Sequence, residues 1–302
     1  MLDLSLLATE QRNTSSRELD SLSIPKVLEL INEQDQLVPL AVKEQLPAVE
    51  KVVEELVSRF RRGGRLFLCG AGTSGRLSIL EAAECPPTFS SPPELVQAIM
   101  AGAPGAVFEA VEGAEDSKKQ GKIEARERQI TAKDLVLGIS ASGRTPYVLG
   151  ILEYARDLGA YTGMICSSYP KDLVVDMIIA PSTGPEVVTG STRLKAASAA
   201  KMILNMITTT AMVSLGKVYG NLMVDLNPNS EKLIARATNI VMEITGCSPR
   251  KALALVNEAK NAKLAVVMYL KDVNKQEAKK LLLESHGSLR KIIGSRPSEN
   301  YF

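Results

Sequence analysis

Three stretches of this 302-residue sequence place hydroxyls, glycines and carboxylates at spacings suited to anion binding and proton transfer. The first, Gly63 to Phe89, reads GGRLFLCGAGTSGRLSILEAAECPPTF. Its apolar run Arg65 to Cys69 predicts a buried strand, so Gly70 to Gly75 is expected as a loop at the strand's carboxyl end, with Ser74 capping a short helix. Backbone N–H groups and the positive end of a helix dipole converge on such a loop, where Gly72, Thr73 and Ser74 would hold a phosphate. The same helix is expected to deliver Glu84 just before Pro86 and Pro87 stop it.

The second stretch, Ser140 to Thr145, follows another apolar run and precedes a helix with Pro146 in its first turn. The hydroxyls of Ser140, Ser142 and Thr145, with the N–H groups of Gly143 and Arg144, would form a second phosphate nest. The third, Gly184 to Lys195, offers Glu186, Ser191, Thr192 and Lys195 as further candidates, with Arg193 or Lys195 as a charge partner for Glu186.

Among the acids Glu84, Glu112, Glu115, Asp116 and Glu186, two stand in contrasting predicted environments. A carboxylate at a helix end meets the negative pole of the dipole, which at Glu84 favours the proton-carrying form. Glu115, expected in the first turn of the next helix, meets the positive pole and is suited to act as a base. Paired acid–base chemistry needs such a division. Gly70, Gly72 and Gly75 also fit a dinucleotide fingerprint, but the second strand lacks the acidic residue that would hold a ribose, so a single phosphate fits better.

The elements that must position these residues follow from the apolar runs. Arg65 to Cys69, Leu95 to Met100, Leu135 to Ser140, Thr162 to Cys166 and Met177 to Ala180 alternate with amphipathic segments near 75–84, 115–130 and 146–158. Runs apolar throughout, separated by helices, predict an α/β fold with a doubly wound, flavodoxin-like parallel sheet and ligands beyond the carboxyl ends of the strands. Residues 1–62 read as an arm with N-terminal helices, 63–226 as the sugar-phosphate-binding α/β domain, and 227–302 as a helical region. Within that last region three short helices are expected after Gly246, with Ser248 and Asn274 as caps. A long apolar helix is expected from Thr192 to Leu215.

Composition narrows the function. A net charge of +2 gives no global attraction for nucleic acid. Cys69, Cys85, Cys166 and Cys247 stand apart, and His286 is the one histidine, so neither a disulfide framework nor a metal site is expected. The opening residues are too short an apolar run for a secretory signal, and no segment reads as spanning a membrane. A cytoplasmic protein is the expectation. With 4% aromatic residues and no tryptophan, a sugar would be held by hydrogen bonds rather than stacking.

The motifs GAGTSGRL, EAAECPPTF, EGAED, ISASGRTPYV, GPEVVTGSTRLKA and GKVYGNLMVD, with the amino-terminal TEQRN, closely resemble those of the N-acetylmuramic acid 6-phosphate etherases, which contain a sugar isomerase (SIS) domain. The resemblance implies a cofactor-free lyase that cleaves the D-lactyl ether of its sugar phosphate. It also implies Glu84 as proton donor and Glu115 as the second catalytic carboxylate, and the SIS fold implies a homodimer. An aldose–ketose isomerase or a noncatalytic phosphosugar sensor on the same fold are the alternatives. An isomerase of this kind often uses a histidine, and His286 lies in the helical tail.

Overall fold

The five apolar runs form five parallel strands: β1 (Leu66–Gly70), β2 (Val96–Met100), β3 (Leu135–Ile139), β4 (Tyr161–Ile165) and β5 (Met177–Ile179). Their order across the sheet is β2-β1-β3-β4-β5, the flavodoxin-like order expected of a doubly wound sheet. This is a computed structural model, and it describes residues 8–170 and 172–294. Residues 1–7 of the expected arm lie outside the described residues.

Two compact units divide the chain, Met1–Glu84 with Pro92–Thr208 and Cys85–Ser91 with Thr209–Phe302. In the first, helices α1 (Ile24–Asp35), α2 (Leu37–Lys43) and α3 (Leu46–Arg61) precede the sheet. Pro25 and Pro47 occupy the opening turns of α1 and α3, where a missing N–H costs nothing. The predicted apolar face of α3 is the buried one: Val49, Val52, Val53, Leu56, Val57 and Phe60. Both faces of the sheet are covered. Phe67, Cys69, Val136 and Met164 pack with α6 (Pro146–Asp157), and the alternate residues Leu66, Leu68, Leu135 and Leu137 are equally buried.

Helix α5 (Lys118–Glu127) meets α6 through reciprocal glycines. A Cβ on Gly121 would lie 2.1 Å from the carbonyl oxygen of Tyr147, and one on Gly150 would lie 2.1 Å from that of Lys118. Only glycine permits backbones this close. At the other end of the sheet Asp134, 1% exposed, accepts hydrogen bonds from the Arg65 backbone and guanidinium and from Thr131, pinning the starts of β1 and β3 together.

Helix α4 corrects the sequence reading. It spans Gly72–Phe89, so it begins inside the expected glycine loop and runs through Pro86 and Pro87 instead of stopping before them. The prolines remove the rungs to the carbonyls of Ala82 and Ala83. Burial of Cys85 and Phe89, 2% and 8% exposed, holds the last turn helical despite that loss. Ser74 is therefore a first-turn residue and not the cap.

After α7 (Lys195–Ser214), the second unit has a two-stranded antiparallel hairpin, β6 (Val218–Tyr219) and β7 (Leu222–Met223), that sequence reading missed. It then has α8 (Glu231–Thr245), α9 (Pro249–Ala259), α10 (Ala262–Lys271), α11 (Lys275–Glu284) and α12 (Leu289–Ile293). Among the described residues four helices follow Gly246 where three were expected, because Lys260 turns left-handed and Asn261 caps a fresh helix at Leu264 N. Ser248 and Asn274 are caps as expected. His286 sits exposed in the turn after α11.

Candidate active site

The carboxyl edge of the sheet gathers the three polar loops. The first hydrogen bond of α4 runs from Gly75 N to Ala71 O at 3.1 Å, so the N–H groups of Gly72, Thr73 and Ser74 precede the helical ladder. These first-turn donors and the dipole behind them suit an anion.

The Ser140–Thr145 loop is built differently. Ser140 is buried, and its hydroxyl lies 2.7 Å from that of Thr145 and 3.5 Å from that of Ser142. The Gly143 N–H donates to Ser140 O, and the Arg144 N–H to the Ser142 hydroxyl. Both amides expected to face a phosphate are spent inside the loop, so the hydroxyls are its available donors. Thr145 precedes α6 without capping it, because its hydroxyl is turned to Ser140.

In the third loop Glu186, 1% exposed, accepts from the backbone N–H groups of Lys195 and Ala196, both at 3.0 Å. It caps α7 from nine residues upstream. Lys195 is buried in turn, and its ammonium donates to Gln34 Oε1 at 3.0 Å. Burial pulls the Lys195 pKa below the ordinary lysine value, partly offset by the charges of Glu186 and Asp35. Asn13 of the amino-terminal arm donates to the same Gln34 oxygen at 2.8 Å and to Pro185 O at 3.0 Å. The arm thus packs on the third loop of its own chain. Gln34 escaped sequence reading, since an amide on an amphipathic helix carries no signal of its distant partners.

Two cavities show which residues come together. A small one of about 10 Å³, room for one water, is lined by Ser74, Ala141, Ser167 and Thr192, so all three loops meet there. A second, about 140 Å³, lies between the start of α4 and the segment 106–115; Gly72, Arg76, Glu112 and Glu115 line it. Glu115 is exposed and occupies a single 3-10 turn, Ala114–Asp116, rather than the first turn of α5, whose cap is Ser117.

Glu84 lies elsewhere. It is exposed and stands five residues before the end of α4, inside the helix and not at its end. At 1.5 Å per residue it is about 15 Å along the helix from Ser74. One turn earlier, Glu81 is buried and bonded to Lys201 and Thr208 on α7, which makes it a packing carboxylate. Among the described residues no cluster of histidine, cysteine and carboxylate side chains is placed to hold a metal.

A flavodoxin-like sheet whose carboxyl edge carries hydroxyl-rich loops defines a doubly wound α/β protein with its ligand edge at those loops. A family model described as the glucokinase regulatory protein N-terminal SIS domain matches residues 48–156. A phosphoheptose isomerase from Neisseria gonorrhoeae superposes with a TM-score of 0.46 at 15% identity, over 62% of this chain and 97% of that one. The fold assignment rests on strand order and not on that likeness.

Far closer is N-acetylmuramic acid 6-phosphate etherase 2 of Enterococcus faecalis, 46% identical over 97% of this chain and 100% of its own length. The enzyme named N-acetylmuramic acid 6-phosphate etherase from an Exiguobacterium species is 49% identical over 96% and 100%. The chain belongs to the N-acetylmuramic acid 6-phosphate etherase family.

Proposed function

We propose that this protein is a carbon–oxygen lyase that converts N-acetylmuramic acid 6-phosphate to N-acetylglucosamine 6-phosphate and D-lactate. The observation that carries the reading is identity of 46% to 49% with etherases along nearly the whole chain. The 6-phosphate would be taken by the first-turn amides of Gly72, Thr73 and Ser74 and by the hydroxyls of Ser140, Ser142 and Thr145.

Opening of the sugar ring gives a C1 aldehyde that acidifies the C2 proton. A carboxylate removes that proton, the C3–O bond breaks, and a carboxylic acid protonates the departing lactate oxygen. Water then adds across the resulting double bond, restoring the C3 hydroxyl and the C2 hydrogen. Glu115 is the base in this scheme and Glu84 the acid. Ser191, Thr192 and Lys195 would complete the sugar's polar contacts, with Glu186 holding Lys195 and the start of α7 in place.

The protein acts in this reading as a cytoplasmic homodimer. Glu84 lies about 18 Å along α4 from Gly72, beyond the reach of one sugar from the cavity that Glu115 lines, so Glu84 would serve the site of a second copy. Among the described residues no helix is long and apolar enough to cross a membrane.

Release of D-lactate from N-acetylmuramic acid 6-phosphate tests the activity. No release by the wild-type chain would eliminate it in favour of a phosphosugar sensor, a reading that the match over residues 48–156 favours. Mixing Glu84→Gln and Glu115→Gln chains tests the shared site. Random pairing should return about a quarter of wild-type activity if each site draws on both copies, and almost none if it does not.

A further inference from the structure

Between β2 and α5 the chain runs from Ala101 to Ser117 with only two single 3-10 turns, Gly105–Val107 and Ala114–Asp116. Its backbone bonds are mainly local, such as Ala106 N to Gly102 O and Asp116 N to Gly113 O. Phe108, the largest apolar side chain in it, is 88% exposed and anchors nothing. Yet this segment carries Glu115 and forms one wall of the cavity at the start of α4.

The Ala114–Asp116 turn rests against α6, and from α4 one side chain among the described residues hydrogen-bonds to the rest of the segment. Arg76 donates from Nε to Val107 O at 2.9 Å, and from Nη2 to Ala106 O at 2.9 Å and Glu109 O at 3.3 Å. Its planar fork matches a turn of converging carbonyls in a way that a lysine ammonium does not. Arg76 stands four residues after Gly72, so the element that offers first-turn amides to an anion also grips the segment that bears the carboxylate.

We propose that Arg76 is a positioning residue that fixes Glu115 relative to the first turn of α4 without touching substrate. The catalytic consequence rests on the etherase reading; the clamp itself does not. Two readouts separate them. In Arg76→Gln, backbone amide exchange over residues 102–117 should rise about tenfold or more while β1 and β3 keep their protection. Unchanged exchange in that segment overturns the clamp, whether or not the protein is an etherase.

For activity, Arg76→Gln should lower kcat by about tenfold or more with KM held within about threefold, and Arg76→Lys should recover part of the loss. In a Glu115→Gln background the same change should cost less than about twofold, because the carboxylate it positions is gone. A full, additive loss in that background, or a rise in KM with kcat preserved, would show that Arg76 binds substrate or acts independently of Glu115. Should Arg76→Gln not fold, Arg76→Lys carries both measurements. A wild-type chain that releases no lactate sinks the etherase reading and leaves the exchange result to judge the clamp.

Discussion

Two clusters in this molecule use the same side-chain types and end in different states. In the second unit Asp225 meets Lys217 at 2.7 Å, Lys263 at 3.4 Å and the Asn261 amide at 3.0 Å, and Lys263 also donates to Gly287 O. Burial alone would raise the Asp225 pKa, but the two ammonium groups and the hydrogen bonds from Lys217 and Asn261 outweigh it and hold the carboxyl below its ordinary value. In the first unit Glu186 and Lys195 are both buried, yet Glu186 is spent on two backbone N–H groups and the Lys195 ammonium donates to a neutral amide. The Asp225 cluster is closed on itself. In the other, among the described residues, the buried ammonium has one neutral acceptor, and the charges of Glu186 and Asp35 act on it without a direct bond.

The difference can be broken from either side. The largest effect should come from Lys195→Met: lactate release lower by about 100-fold or more, as when a preorganised electrostatic group is removed, with thermal stability kept. Equal losses of activity and stability would put Lys195 in the same class as Lys263. Asp225→Asn should do the reverse. It should cost about 3 kcal/mol in denaturant unfolding, because two lysines lose the charge they share, and leave the kcat of the remaining folded protein near wild type.

Smaller still is Glu186→Gln, which keeps one acceptor at the start of α7 and turns an amide donor against the other N–H. A loss of about 1–2 kcal/mol is expected, and no measurable loss would mean the capping role is wrong. The smallest effect is one of pH. A carboxyl with a depressed folded pKa stabilises fully above its unfolded pKa of about 3.9 and loses that contribution as pH falls through the folded value. Acid titration of stability should therefore be shallower below about pH 4 in Asp225→Asn than in wild type.

Much of this architecture was legible because burial on both faces of a parallel sheet writes itself as uninterrupted apolar runs. The five strands, their alternation with helices and the edge where the loops gather all follow from that pattern. The candidate residues were legible as types, and Ser74 and Thr192 do meet at one cavity with the serine loop. Less visible was anything settled by tertiary contact. Pro86 and Pro87 predict a stop, but the packing of Cys85 and Phe89 is decided elsewhere in the chain. Arg76 binds backbone carbonyls, which have no residue type, so its thirty-residue reach leaves no mark in sequence spacing. Glu186 caps a helix nine residues away, a distance that local capping rules do not search.

The crossing of α5 and α6 at Gly121 and Gly150 reaches further than packing. The 3-10 turn holding Glu115 ends one residue before the Ser117 cap of α5 and rests against α6, and the serine loop runs directly into the first turn of α6. A methyl group at either glycine would meet a carbonyl oxygen at 2.1 Å and force these first turns apart. The spacing between this carboxylate and these hydroxyls is thus gauged at a backbone-to-backbone contact, and an alanine harmless in any isolated helix would here put the instrument out of adjustment.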